Sequence, residues 1–509
     1  MQIKSLHIKN FKSIRELDIV DIENALILVG KNNTGKTVVL DAIRAVTGDF
    51  PVTEKHFNEK KQKIEIAMKL ALTEEDLQVY HAQGIVSQYK KYELWKREFC
   101  EKLPSFVDGE LHFVLNNCTF YILLWGIYYL QGTLYPSGSI ISQGALALIM
   151  LISLYYCFKV NITYKLPIFM RVLNVFLVVL SVYGMLFMLS PTQVYFENII
   201  STPATKHEYL KTIYMSLLPI YVMYHYGRRG VLTTSYICRF TILWLFIVIV
   251  QFIRLQNDAM AAASGMGITE DIEIVNNIAY DFLHLFPLIF LWRAKPFVQY
   301  LLTAVIFAFI LVGMKRGVIV IGAVCLMWFL YSIWCTSKGR QRYAVAFLTI
   351  VLLSLGIGYI SDLYSTSPLF QQRIEQTLEG STSNRDTIYG SLWQYFNDDL
   401  SLTHFLLGNG AFFTVTVAGN FAHNDWLELL INQGLLGVAI YIAYFISLVY
   451  TLYRLRHNKQ LYAIMAMIVF IMFASSLFSM SYSSLGLPIA MGLGYCLSAT
   501  NQSPHNHQQ

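Results

Sequence analysis

Charge is what this sequence has least of. Only 14% of its 509 residues are Asp, Glu, Lys or Arg, against about a quarter in a soluble globular protein. That shortage excludes a single water-solvated body for the whole chain. It is also uneven. Residues 1–117 hold 17 Lys+Arg and 17 Asp+Glu of the chain's 38 and 32, leaving 21 and 15 thinly spread over the rest. The first segment therefore has an ordinary soluble composition with no net charge, and the second carries the whole +6. Because that excess lies in short loops rather than in one patch, no nucleic-acid partner is expected. Paired cysteine motifs are missing as well. Cys100, Cys118, Cys157, Cys238, Cys325, Cys335 and Cys496 include no CxxC and no Cys/His cluster, so neither a metal centre nor a disulfide framework is expected. The N-terminal MQIKSLHIKNFKSI alternates apolar with basic residues and lacks the continuous apolar stretch of a cleavable signal, so the first apolar run is expected to act as an uncleaved anchor.

What the chain does have is apolar runs. From Cys118 onward about twelve follow one another, near 118–131, 138–158, 167–190, 209–226, 236–254, 277–292, 296–313, 317–336, 341–361, 435–455, 460–479 and 484–499, each of roughly the length that crosses a bilayer. No soluble fold needs so many. Residues 1–117 read instead as α/β: Ile3–Phe11 and Ile64–Leu72 alternate like strands, Ala25–Val29 is a buried-strand run, and Lys36–Val46 and Thr73–Glu101 have helical character. The expected architecture is mainly α: a polytopic helical membrane bundle at 118–500, preceded by a small α/β fragment at 1–117 and followed by a disordered tail at 501–509.

The loop cations set an orientation. With residues 1–117 in the cytoplasm, the even-numbered loops carry Lys159, Lys165, Arg171, Arg228, Arg229, Arg293, Lys295, Lys338, Arg340, Arg342, Arg454, Arg456 and Lys459, about twice as many as the odd-numbered ones. Both termini then lie in the cytoplasm. One outer loop, about 361–433, is long and rich in aromatics such as Trp393 and Trp426, which suits a functional loop rather than a disordered one.

That loop holds the informative residues. Leu406–Gly437 reads LLGNG, AFFTVTVAGNF, AHNDWLELLINQGLLG; upstream lies SNRDTIYGSLW with Arg385, and GMKRG carries Lys315 and Arg316 between runs seven and eight. His423 and Asn424 precede a helix start, where anions are favoured. Arg385 and Arg316 fall on the same outer side, and guanidinium forks hold phosphate oxygens without losing charge. Histidine can exchange a proton near neutral pH. Two arginines, one histidine and a helix end at one membrane face suit a lipid pyrophosphate whose sugar is being transferred. Asp281 and His284, three residues apart inside the sixth run, read equally as functional intramembrane charge or as a structural pair.

HN, two residues, LELL, three residues, GLLG resembles the signature of the O-antigen ligase and polymerase family. LLGNG resembles that family's LLGxG, and Arg385 and the KRG at 315–317 resemble its loop arginine and helix-opening cations. Tyr389 stands where members often carry Trp. The resemblance covers about 118–500 and implies a metal-independent glycan transferase of the bacterial inner membrane. Its donor would be an undecaprenyl-pyrophosphate-linked glycan at the periplasmic face. Its acceptor would be lipid A-core (a ligase) or another lipid-linked glycan (a polymerase). Carried over, His423 would take the acceptor's proton or bind its sugar, and Arg385 and Arg316 would hold the pyrophosphate. Lys315, Asn424 and Glu428 would be secondary substrate contacts.

Gly30, Lys31, Asn32, Asn33, Thr34, Gly35, Lys36 and Thr37 form GKNNTGKT, a phosphate-cradling P-loop between a strand-like run and a helix. With IKSLHIKNFKSIRELDI before it, it resembles the start of overcoming-lysogenization-defect and RecF-like ATPases, over about 1–75. That likeness implies ATP, with magnesium on Thr37. However, no apolar strand ending in Asp-Glu follows and no LSGG-type helix appears, so hydrolysis by this segment is not expected. Two other function classes remain open: a flippase for lipid-linked glycans, and an ATP-driven membrane machine. The first would place its charge near the bilayer midplane rather than in an outer loop; the second would need the missing acidic strand.

Overall fold

The computed structural model describes residues 2–19, 22, 36–47, 50, 52–59, 64–71, 74–82, 117–196, 202–265, 277–292, 295–337, 339–366, 370–371, 374–375 and 385–500. The chain divides into two compact units, 1–109 and 110–509. The expected strand at 25–29 and the polar tail at 501–509 lie outside the described residues.

In the first unit, β1 (Gln2–Phe11) is central. It pairs antiparallel with β2 (Ile14–Ile19) on one side and β3 (Glu65–Ala71) on the other, in the order β2-β1-β3. Alternation puts Leu6 and Ile8 on one face, where they meet Val39 and Ala42 of α1 (Lys36–Thr47). The β1–β2 turn uses two left-handed residues, Asn10 and Lys12. The Asn10 amide clamps the backbone of Glu59, and Lys12 reaches Asp41 Oδ2 on α1 at 2.7 Å. A second helix, α2 (Glu74–Ala82), follows β3.

The second unit is almost wholly helical: α3 (Asn117–Tyr129), α4 (Ile140–Thr163), α5 (Ile168–Leu189), α6 (Glu208–Leu217), α7 (Pro219–Arg228), α8 (Thr234–Gly265), α9 (Ala279–Leu285) running into a 3-10 helix (Phe286–Trp292), α10 (Pro296–Val312), α11 (Arg316–Thr336), α12 (Arg340–Thr366), α13 (Arg385–Asp398), α14 (Leu402–Leu407), α15 (Phe413–Ala418), α16 (Asp425–Arg454), α17 (Lys459–Phe478) and α18 (Leu487–Thr500). A two-stranded ribbon, β4 (Tyr195–Phe196) with β5 (Thr202–Pro203), follows α5.

All twelve apolar runs are helical, and among the described residues seven helices are each long and apolar enough to cross a membrane: within α4, α5, α8, α11, α12, α16 and α17. In two of the other five runs a proline shortens the helix. Pro219 opens a new helix after Leu218 and splits the fourth run in two. Pro287 lies in the 3-10 stretch, where its missing N–H breaks the α ladder of the sixth. Outward faces are apolar. Within the apolar window of α12 only 6% of residues are buried, and Phe347, Leu355 and Ile357 face outward. Such a surface is compatible with lipid and costly in water.

Inside, helices approach through glycine. A Cβ on Gly494 of α18 would lie 2.5 Å from the Met223 carbonyl carbon, and one on Gly227 of α7 would lie 2.7 Å from the Gly494 oxygen. Backbones therefore touch at this crossing, as small residues permit in membrane bundles.

Candidate functional site at one end of the bundle

The segment 361–433 is largely helical among its described residues, and α16 begins at Asp425, ten residues before the run starting at 435. The two starts are reconciled by Gly434 (φ 64°, ψ −160°), which interrupts α16. At such a break the preceding carbonyls lose their partners. Here the LLGNG hairpin supplies them: Asn409 N donates to Ile431 O (3.1 Å) and Gly410 N to Asn432 O (2.9 Å). The hairpin is itself tied to α5, where the Tyr183 hydroxyl donates to Leu407 O.

His423 stands just before α16 in the left-handed region (φ 51°), unusual for a residue with a Cβ. Two carboxylates hold this turn from below. Glu428, 1% exposed, accepts from Ala422 N (2.8 Å), Thr414 Oγ1 (2.6 Å) and Asn432 Nδ2 (2.7 Å). Asp425, fully buried, accepts from Ser481 N (2.9 Å), Ser481 Oγ (2.5 Å), Tyr482 N (3.3 Å) and Tyr441 Oη (2.5 Å). The first fixes the residue before His423; the second ties the start of α16 to the non-helical segment between α17 and α18. Asn424 is the N-cap: its Oδ1 accepts from Trp426 N and Leu427 N, and its Nδ2 donates to Leu477 O at the end of α17 (3.3 Å). Both Glu428 oxygens and both Asn424 side-chain polar atoms are thus engaged by the protein itself.

The other two predicted residues reach the same end by different routes. Arg385 is the first residue of α13. Ile388, Tyr389 and Leu392, on the same helix face, pack with Ala422 and Leu427 in a small separate core. Arg316 opens α11 after Lys315, its N-cap residue. Next to it, a Cβ on Gly317 would lie 3.3 Å from both Phe478 Cβ and Tyr280 Oη. Tyr280 lies against this opening of α11. Its hydroxyl is buried beside Ser479, makes no well-formed hydrogen bond among the described residues, and feels the charge of both Arg385 and Asp425. Sequence reasoning passed over Tyr280 and gave Asp425 no role. For Tyr280 the only signal was its position beside Asp281; for Asp425 there was none, because its partners Tyr441, Ser481 and Tyr482 lie 16, 56 and 57 residues away.

Asp281 and His284 form a loose pair in α9. Nδ1 of His284 is 3.9 Å from Asp281 Oδ1, and the Tyr129 hydroxyl donates to Asp281. Between α13 and α14, Asp399 accepts from Ser401 N (3.0 Å) and Tyr395 Oη (3.1 Å) and lies 2.7 Å from His404 Nδ1. The Ser401 N–H, followed by the His404 and Tyr395 contacts, holds its carboxyl below the usual range. Burial, and then the neighbouring Asp399, pushes Tyr395 up to about 12.

In the first unit, Gly30, Lys31, Asn32, Asn33, Thr34 and Gly35 of the P-loop lie outside the described residues. Lys36 and Thr37 open α1, with Thr37 exposed, and α1 packs on the three-stranded sheet. Residues 1–122 match the AAA ATPase domain family. The match covers the first unit and ends inside α3, so the N-terminal segment is an ATPase-like fragment. No curated protein matches the chain.

Proposed function

We propose that the helical unit is a membrane glycan transferase. It would move an undecaprenyl-pyrophosphate-linked glycan, at the periplasmic face of a bacterial inner membrane, onto a sugar hydroxyl of lipid A-core or of a second lipid-linked glycan. The observation that carries this reading is that the openings of α11 and α13, which bear Arg316 and Arg385, and the turn before α16, which bears His423, lie at one bundle end. In this reading the twelve runs cross the membrane, both termini are cytoplasmic, and 361–433 is the periplasmic loop.

The chemistry needs little more. The acceptor hydroxyl oxygen attacks the anomeric carbon, and the bond from that carbon to the pyrophosphate oxygen breaks. The hydroxyl proton passes to His423, and undecaprenyl pyrophosphate leaves with its electron pair. Arg385 and Arg316 offer fixed charge to the leaving oxygens, an arrangement worth most when water is kept out. Glu428 and Asp425 act on the step only through the backbone they hold. Lys315 adds a second cation beside Arg316.

The test is the glycan ladder of a strain carrying the variant chain. His423→Ala and Arg385→Ala should each abolish polymer or capped lipopolysaccharide while protein stays in the membrane; a normal ladder in either variant removes the proposal. Deleting the gene separates the two acceptors. Accumulated lipid-linked polymer without attachment means ligase, and a single repeat on the core means polymerase.

A second reading rests on the AAA ATPase match over residues 1–122: an ATP-using membrane protein. Lys36→Ala decides between them. It should leave the ladder unchanged if the transferase acts alone. Loss of function with Lys36→Ala and none with His423→Ala favours the ATP-using protein.

A further inference from the structure

A cavity of about 150 Å³ lies among α10, α11, α12, α17 and the 3-10 helix, with Gln299, Ser332, Thr336, Ser337, Lys459 and Gln460 as its polar wall. It is remote from His423. Thr336 ends α11, the helix that Arg316 opens, and its 21 residues rise about 30 Å at 1.5 Å each. Similarly, Lys459 opens α17, whose other end meets Asn424. The two sites stand about one bilayer core apart.

Two features say what the cavity takes. The first is depth. Trp334 is partly exposed on α11 and carries the Arg342 guanidinium 4.6 Å over its ring, with Tyr331 and Tyr343 exposed nearby in sequence. Aromatic and basic side chains gathered this way mark the headgroup layer. The second is charge of one sign. The sequence has no Asp or Glu between Asp281 and Asp362, and none after Glu428. No carboxylate therefore comes from the 3-10 helix, α10, α11 or α17, and α12 has its single one, Asp362, near its far end. Lys459 stands on the wall, where the helices begun by Pro296 and Lys459 start.

We propose that this cavity holds the phosphate headgroup of an anionic phospholipid, with Lys459 as counter-charge and the amides and hydroxyls of the wall facing the glycerol portion. The site is separate from the transferase chemistry and stands or falls without it. The full chain, purified in detergent, is exposed to phosphatidylglycerol, phosphatidylethanolamine and inorganic phosphate, and retained lipid is read by native mass spectrometry. The wild type should retain phosphatidylglycerol in preference to the zwitterionic lipid. Lys459→Gln should cut that retention about fivefold, the worth of one cation near a lipid surface. Ala463→Leu, which fills the cavity without changing charge, should cut it as well, and both variants should keep the wild-type elution volume. Equal retention of the two lipids overturns the proposal, as does unchanged retention in Lys459→Gln and Ala463→Leu. Displacement of phosphatidylglycerol by inorganic phosphate would make the ligand a free anion and overturn the lipid assignment.

Discussion

Gly408 and Gly434 meet backbone to backbone. A Cβ on Gly434 would lie 2.5 Å from the Gly408 nitrogen, and one on Gly408 would lie 2.4 Å from the Asn432 carbonyl. Both glycines also have positive φ, 72° and 64°. The contact explains why two separate stretches, LLGNG and INQG, carry glycine: each is one side of the same close approach.

Gly434→Ala should therefore be costly twice, through the collision and through a strained backbone, by about 1–3 kcal/mol for the strain alone. Gly390→Ala is the control. It sits in α13 with nothing within 4 Å of its would-be Cβ, and a helical alanine should stabilise by about 0.5–1 kcal/mol. Thermal unfolding in detergent measures both; equal midpoints would contradict the contact.

Asp425→Ala removes the acceptor for two backbone N–H groups and two hydroxyls in a buried setting. Leaving even one such donor unpaired costs about 1–3 kcal/mol. The segment at 479–486 should become cleavable by a protease that spares the wild type. A cleavage pattern like the wild type's would mean that Asp425 does not hold this segment.

Glu428→Gln keeps the shape but loses the charge and makes one acceptor a donor facing Ala422 N or Thr414. The His423 turn should loosen while the bundle stays folded. On the transferase reading the glycan ladder should weaken by at least tenfold with unchanged protein level. A ladder of full strength would show that Glu428 does not position His423.

The Asp399 turn should depend on pH. Its carboxyl is held below the ordinary value of 3.8, first by the Ser401 N–H. A depressed carboxylate contributes stability that is fully present above its unfolded value and is lost as pH falls through its folded value. Amide exchange at residues 401–407, corrected for the intrinsic pH effect, should be protected at pH 6 and lose protection below about pH 3.8. Asp399→Asn should lack this loss; the same loss in the variant would assign it elsewhere.

Local pattern was legible wherever it alone decides structure. Alternation in Ile3–Phe11 named β1, the spacing of Lys36–Val46 named α1, and continuous apolar runs named every helix from α3 to α18 that packs in the bundle. Pro219 and Pro287 were equally visible, yet what they do to length depends on whether the chain continues across the break, which neighbouring helices settle.

By itself, then, the sequence determined a charge-balanced α/β segment and a charge-poor helical bundle, because burial pattern and backbone propensity are local properties. Only the tertiary structure decided that Asp425 would hold Ser481 and Tyr482, that Asn409 and Gly410 would cap a helix broken at Gly434, and that Tyr280 would stand against Gly317. Those choices pair groups far apart in the chain, and a buried carboxylate or an orphaned carbonyl takes whichever donor the packing brings within reach.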